Sequence, residues 1–285
     1  PFYGPWDALY PAEEMELPAT WHGEPDAGMP LRHRLRREQY AARNPHVQTN
    51  DERGWKALKT RYWGLASLVD KYVGRILDHL EALGLAENTL VVYSTDHGDM
   101  MGEHRLVAKG VQYEGASRVP LIVHVPGLAP RRLATPTSQV DVTPTLLDAL
   151  GHEAPAHVQG RSLLPLMQAG DTAPDAAEVV FEWSGAREGE TADGQRYHGD
   201  ALAQLAMAAQ QRTIRRGRWK LTVDEAGDHE LYDLVADPEE TRNLLYAGEG
   251  RTPPAEAQAA ARDLWERLRA WQARTADALP LEAVP

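Results

Sequence analysis

Thr89-Leu90-Val91-Val92-Tyr93-Ser94-Thr95-Asp96-His97-Gly98-Asp99-Met100-Met101-Gly102-Glu103-His104, followed by Lys109, is the stretch on which the architecture turns. Residues 89–95 read as a central strand, apolar on both faces. The strand stops where a carboxylate and an imidazole begin. In open α/β sheets ligands gather beyond the carboxyl ends of the strands, and Asp96 and His97 fall at that edge. Such a pair suits a divalent cation, the carboxylate favouring Ca²⁺, Mg²⁺ or Mn²⁺. Lys109 is a point charge suited to a sulfate or phosphate oxygen. Taken alone, Asp-His-Gly at a strand end also fits an ordinary turn in which Asp bonds local N–H groups. Two side chains do not fill the shell of a hard cation, so further ligands must come from elsewhere in the fold.

Outward from this stretch the pattern alternates. Before it, Leu65, Leu68, Val69, Tyr72, Val73, Ile76, Leu80 and Leu83 recur at steps of three and four, which predicts an amphipathic helix over 51–83 with Gly84 as its stop. Tyr62, Trp63 and Tyr72 on that helix read as packing residues. After it, 120–125 predicts a second strand, with a short helix near Gln112–Ser117 between the two. Thr143-Pro144 reads as N-cap and first residue of a helix that ends at Gly151. Helix, strand, crossover, strand, helix is the rhythm of an α/β fold with a mostly parallel sheet. Residues 1–50, punctuated by Pro1, Pro5, Pro11, Pro18, Pro25 and Pro30, read as an extended segment wrapping a larger body.

Beyond Gly170 the pattern changes. Val179-Val180-Phe181 is a short strand, 185–200 a polar loop, and 213–215 with 219–223 a hairpin. Glu230–Leu234 adds a strand, Asp237-Pro238 turns into a helix, and 255–277 is a final helix that packs on its own domain. Arg215, Arg216, Arg218 and Lys220 read as a solvated hairpin, and His79 and His124 as ordinary histidines. His104 reads as a residue of the loop or of the surroundings of a site rather than as a ligand. The division is therefore 1–170, the α/β part, and 171–285, a smaller antiparallel α+β subdomain.

Composition bounds the partners. The 285 residues carry a net charge of −12 and no cysteine. The acidic balance argues against a nucleic-acid partner, and without Cys there is no disulfide, thiolate ligand or thiol nucleophile. No apolar run approaches the ~20 residues of a membrane span, and no signal-peptide pattern is present. A soluble protein is expected, with cytoplasm and periplasm both open.

The 95–104 stretch, with Lys109-Gly110, Tyr113-Glu114 and Arg118-Val119-Pro120-Leu121-Ile122-Val123, resembles the second metal-ligand motif of the sulfatases, members of the alkaline-phosphatase superfamily. Val73-Gly74-Arg75-Ile76-Leu77 resembles the preceding helix. Gln139-Val140-Asp141-Val142-Thr143-Pro144 resembles the helix that follows, and Gln159-Gly160-Arg161-Ser162-Leu163 the loop beyond. Trp219-Lys220-Leu221, Glu230–Leu234, Asp237-Pro238-Glu239-Glu240 and Asn243-Leu244 resemble the C-terminal subdomain. The resemblance implies an alkaline-phosphatase-like α/β fold, truncated, and a sulfuric ester hydrolase acting on a small-molecule or carbohydrate sulfate ester. It makes Asp96 and His97 metal ligands. Lys109 becomes the substrate-binding and catalytic cation that holds the sulfate oxygens.

The family's nucleophile is a formylglycine made from a Cys/Ser-x-Pro-x-Arg motif, which is absent here. Pro1-Phe2-Tyr3-Gly4-Pro5 resembles the segment just after the family's catalytic histidine. The expectation is a C-terminal half, inactive alone, whose partner is the missing N-terminal half. A phosphonate monoester or phosphodiester hydrolase of the same superfamily is the alternative within this chemistry. A non-catalytic anion- or partner-binding module is the alternative outside it.

Overall fold

The proline-rich start is more helical than its punctuation suggests. A computed structural model describes residues 5–23, 27–43, 51–170, 177–185 and 200–284. Single 3-10 turns at Pro5–Ala8 and Ala12–Glu14 precede α1 (Ala19–His22) and α2 (Leu31–Arg43). Helix α2 corrects the extended reading of 1–50. Pro30 does not break it but starts it, its carbonyl accepting from His33 N at 3.0 Å and Arg34 N at 3.2 Å. A proline at a helix start loses nothing, because its missing N–H would have no intrahelical partner. The resemblance seen in residues 1–4 and the loop read at 186–199 lie outside the described residues.

Two units form. The first comprises residues 1–24 and 36–127, the second residues 25–35 and 128–285. In the first, α3 (Glu52–Ala82) is the predicted long helix. Asp51 caps it by accepting from Gly54 N at 2.8 Å, and Gly84 leaves it with φ 68°. Gly64 is required where α3 meets the Trp6 carbonyl, which any side chain would overlap. The apolar stripe, however, is not buried. Val69, Tyr72, Ile76 and Leu77 are all exposed, and so is Tyr62, which corrects the reading of Tyr62 and Tyr72 as packing residues; Trp63 is about half covered. Trp63 meets Tyr10 edge-on at 5.6 Å, and Tyr10 Oη lies 2.7 Å from Ser67 Oγ.

Strand β1 (Val91–Ser94), the single-turn α4 (Glu114–Ser117) and β2 (Leu121–His124) follow. The strands pair antiparallel, Val91 opposite His124 and Ser94 opposite Leu121. The parallel direction expected for this pair is therefore not found, although the α/β class holds. A parallel return needs a crossover that packs on the sheet, usually a helix, and α4 is too short for that. Both strands are also half-exposed, with Tyr93 and Ile122 open to solvent. A short apolar run fixes neither the direction of its partner nor what covers it.

In the second unit, α5 (Val142–Ala149) begins two residues earlier than the Thr143-Pro144 signal implies. Asp141 stands at its N-cap without a side-chain bond to the helix; its Oδ2 accepts from Ser138 N at 3.0 Å, closing the preceding 3-10 turn Gln139–Asp141, while Oδ1 accepts from Arg161 N at 2.9 Å. Gly151 ends the helix with φ 76°. Next come α6 (Leu164–Ala169), β3 (Glu178–Trp183) and α7 (Ala201–Ala208), the last missed by the sequence reading. Then β4 (Gln211–Arg216), β5 (Trp219–Asp224) and β6 (Glu230–Asp233) complete a sheet of order β3-β4-β5-β6, antiparallel throughout. Helix α8 (Ala255–Thr275) lays Ala257, Ala261, Leu264 and Leu268 on Ile214, Leu221, Val223 and Leu231, as the final-helix reading requires. Asp237 closes a turn and not a helix, accepting from Thr241 N at 3.0 Å and Arg242 N at 2.9 Å. No described helix is long and apolar enough to cross a membrane.

One reading of the hairpin is overturned. Lys220 is not solvated: it is buried and paired with Glu240, itself buried. Nearby, Glu230 is fully buried. Desolvation pushes its carboxyl up to about 8, against a hydrogen bond from Tyr232 Oη at 2.8 Å that lowers it. Asp224 is likewise raised to about 6, chiefly by burial. Both folded pKa values exceed the unfolded ones, so the folded state binds more protons. Their contribution to stability is full below about pH 4 and declines as pH rises, through about 6 for Asp224 and about 8 for Glu230. The second unit should lose stability between pH 5 and 8. Glu230→Gln should flatten that slope, as read by urea denaturation at stepped pH. An unchanged slope would remove Glu230 from the account.

Candidate metal and anion site

Strand β1 ends at Ser94, and the chain turns at once. Ser94 Oγ donates to Pro120 O at 2.9 Å, which ties the strand end to the entry of β2. Gly98 N donates to Ala116 O at 2.8 Å. A side chain at Gly98 would overlap the Gly115 carbonyl, so only glycine allows this approach. Asp96 and His97 are thus held on the rim of the first unit, at the carboxyl end of β1.

The Asp96 side chain is exposed. Its Oδ1 accepts from His97 N at 3.0 Å and Thr95 Oγ1 at 3.3 Å. Its Oδ2 lies 3.5 Å from His97 Nε2. Slight desolvation raises the Asp96 carboxyl, but the His97 ring and these hydrogen bonds outweigh it, and the pKa lies below the ordinary carboxylate value. The ionised form is favoured, as a metal ligand needs. His97 Nδ1 sits 2.7 Å from Gly98 O, a partner that can only accept. The proton therefore belongs on Nδ1, which leaves the Nε2 lone pair on the Asp96 side. One carboxylate oxygen and one imidazole nitrogen, each oriented by its other contacts, fit one edge of a divalent-cation shell. Among the described residues no group of three or more His, Cys, Asp or Glu side chains could hold a metal ion. What the described residues bring together is one carboxylate and one imidazole.

Lys109 stands at the end of the excursion that follows. Met100 N donates to Ala108 O at 3.0 Å and Gly102 N to Leu106 O at 2.9 Å, so residues 100–108 form a closed loop. His104 is buried within it and stacks on Tyr113 at 4.1 Å, in line with its reading as a loop residue. His79 and His124 are exposed. The Lys109 side chain is exposed, and its carbonyl accepts from Arg36 Nη2 at 2.7 Å.

Two residues here escaped the sequence reading. Arg36 comes from α2, and nothing in its local pattern points to Lys109. Asp99 accepts at Oδ1 from Met101 N at 3.1 Å and Ala108 N at 2.9 Å. The first bond is an Asx turn that the sequence could suggest, whereas the second spans the loop.

A family model described as Sulfatase matches residues 33–152. One described as N-sulphoglucosamine sulphohydrolase, C-terminal, matches residues 102–273. A choline-sulfatase of Rhizobium meliloti is 35% identical over 187 residues, which cover 64% of this chain and 32% of that protein. An N-acetylglucosamine-6-O-sulfatase of Bacteroides thetaiotaomicron is 30% identical over 218 residues, covering 72% of this chain and 36% of that protein. The solved phosphonate monoester hydrolase of Silicibacter pomeroyi superposes with a TM-score of 0.72 at 26% identity, over 96% of this chain and 53% of that one. The chain thus spans about a third of these curated relatives and about half of the solved structure.

Proposed function

The chain belongs to the sulfatase family of the alkaline-phosphatase superfamily, and from that premise we propose that it is the C-terminal half of a metal-dependent sulfuric ester hydrolase. The observation that carries this reading is the Asp96–His97 pair, its Nε2 lone pair 3.5 Å from a carboxylate oxygen at the end of β1. Lys109 follows on the same loop. When bound, a divalent cation, Ca²⁺ first and Mg²⁺ or Mn²⁺ next, would offset charge on the sulfuryl oxygens. Asp96 and His97 hold it, and Lys109 binds the ester's anionic oxygens and stabilises the charge that develops on them. Residues 1–170 form the remaining part of the catalytic α/β domain, and 171–285 its antiparallel subdomain.

Two further features support a half enzyme. The sequence has no Cys and no Ser-x-Pro-x-Arg, so it offers no source for the family's nucleophile. The stripe Val69, Tyr72, Ile76 and Leu77 on α3 has the period of a buried face yet is exposed, as are Tyr93 and Ile122 on the sheet. The substrate is a small-molecule or carbohydrate sulfate ester; similarity to an N-acetylglucosamine-6-O-sulfatase supports the carbohydrate class. The second reading, a phosphonate monoester or phosphodiester hydrolase, draws on the likeness to the Silicibacter enzyme.

The test joins this chain to an upstream half that carries the nucleophile motif. Hydrolysis of aryl and carbohydrate sulfates is compared with that of aryl phosphonates. The chain alone should show no turnover, because it lacks a nucleophile, and should bind Ca²⁺ weakly in calorimetry. Asp96→Ala and His97→Ala should each abolish that binding. Turnover by the pure chain, lost on adding a chelator, would overturn the half-enzyme reading. Unchanged Ca²⁺ binding in both variants would overturn the metal assignment.

A further inference from the structure

The loop that delivers Lys109 is strained, and one carboxylate spans it. Between Met101 and Gly110, Met101, His104, Arg105 and Ala108 all take left-handed backbone angles, with φ of 38°, 51°, 56° and 61°, and Gly102 and Gly110 take φ of 100° and 91°. Such angles are unfavourable for every residue other than glycine. A conformation of this kind persists only where its surroundings over-determine it. Three features oppose the strain. Met100 N–Ala108 O and Gly102 N–Leu106 O form a short ladder. From outside, Thr20 Oγ1 accepts from His104 N at 3.0 Å, and the Trp21 carbonyl accepts from Arg105 Nε at 2.8 Å. From inside, Asp99 Oδ1 takes both the Met101 and the Ala108 amide, at 3.1 and 2.9 Å. It thereby joins the first and last strained residues, and Lys109 is the residue after the second.

We propose that Asp99 is the positioning residue for Lys109: by accepting from the amides at both ends of the 101–108 loop, it fixes the backbone from which the lysine reaches the anion. The functional part of this inference rests on the anion-binding reading of Lys109. A lysine side chain is long and flexible, and this one is exposed. The location of its ammonium group is set mainly by where its Cα is anchored. The anchor has two parts, the Asp99–Ala108 bond on the residue before and the Arg36 bond to the Lys109 carbonyl. Asp99 touches neither the ester nor the cation in this scheme and acts only through the backbone. The acceptor oxygen matters and the charge does not, so the amide isostere should serve.

The experiment uses the full 285-residue chain. Amide hydrogen exchange is followed by NMR at Met101, Ala108 and Lys109, and inorganic sulfate is titrated with the Lys109 side-chain resonances as readout. Asp99→Asn keeps the acceptor and should leave exchange and sulfate affinity within about threefold of the unaltered chain. Asp99→Ala should speed exchange at Met101 and Ala108 by about a hundredfold and weaken sulfate binding at Lys109 by about tenfold. Should Asp99→Ala fail to fold, Asp99→Ser gives the same test in part. Its short hydroxyl can still serve the Met101 amide but not Ala108, so protection should be lost at Ala108 alone. Full protection at Ala108 in Asp99→Ala and Asp99→Ser overturns the proposal. So does lost protection with sulfate affinity equal to that of Asp99→Asn. If the unaltered chain gives no sulfate response while exchange still depends on Asp99, the lock on Lys109 is upheld and the anion reading falls instead.

Discussion

Glu240→Ala should destabilise the second unit by ~3–5 kcal/mol, the usual cost of breaking a buried ion pair by removing one partner. Lys220 lies on β5 with 1% of its surface exposed, and Glu240 is buried against it. Without Glu240 the ammonium stays on buried β5, with Tyr232 opposite it on β6 and Arg215 opposite it on β4. Glu230 is an acidic neighbour that stays. Its carboxyl is raised first by desolvation and also by the Glu240 charge, while Lys220 lowers it. Losing Glu240 should therefore bring the Glu230 pKa down, and Glu230 should recover part of the loss. Glu240 also holds a left-handed backbone angle, φ 54°, a strain that Ala does not relieve. The double variant Lys220→Met with Glu240→Leu should be far less damaging than the single one, because replacing both charges by apolar groups leaves nothing unpaired. Urea denaturation read by tryptophan fluorescence measures both. A loss below about 1 kcal/mol in Glu240→Ala would mean that the pair is solvated after all.

Lys220 also illustrates how sequence reading fails. It sits among Arg215, Arg216 and Arg218, and a basic run on a hairpin reads as a wet surface. Its partner lies twenty positions away in a turn that reads as a helix start. Local pattern carries no information about such a pair. Where the determinants are local, the reading is sound: the three- and four-residue steps give α3 and α8, the two-residue turn at Gly217-Arg218 gives the β4–β5 hairpin, and Gly84 and Gly151 end their helices. Proline misleads at Pro30, because the same ring that breaks a helix inside starts one at its edge. The exposed stripe of α3 is legible as a stripe, but nothing in its period says what meets it. At the site the division is similar. Asp96, His97 and Lys109 stand out as candidates because strand end and residue type are local signals and the resemblance adds their roles. Asp99 as a loop lock and Arg36 on the Lys109 carbonyl are not, since both depend on tertiary closure.

Lys109→Ala should reduce turnover of a sulfate ester by about a hundredfold or more in the joined enzyme, the usual loss when one charge-stabilising donor is removed. The signature that separates it from its neighbours is metal affinity. Asp96 and His97 converge on one point, with Oδ2 and Nε2 3.5 Å apart, and truncating either should weaken the cation and the rate together. The Lys109 ammonium cannot ligate a cation, because it has three donors and no acceptor. Its removal should leave Ca²⁺ affinity nearly intact. It should even help slightly, because a nearby positive charge is gone. The loss should fall on kcat and kcat/KM together if Lys109 acts on charge that grows in the transition state, and on KM alone if it only holds the ground-state sulfate. Lys109→Arg keeps the charge but spreads it over a planar fork, so it should restore part of the rate and not all. The measurement pairs steady-state kinetics on an aryl sulfate with calcium calorimetry for all four variants. Near-normal turnover in Lys109→Ala would make Lys109 an ordinary solvated lysine. A fall in calcium affinity equal to that of Asp96→Ala would mean that the substitution collapsed the 99–110 loop onto the ligands, and the division of labour between lysine and ligand pair would be wrong.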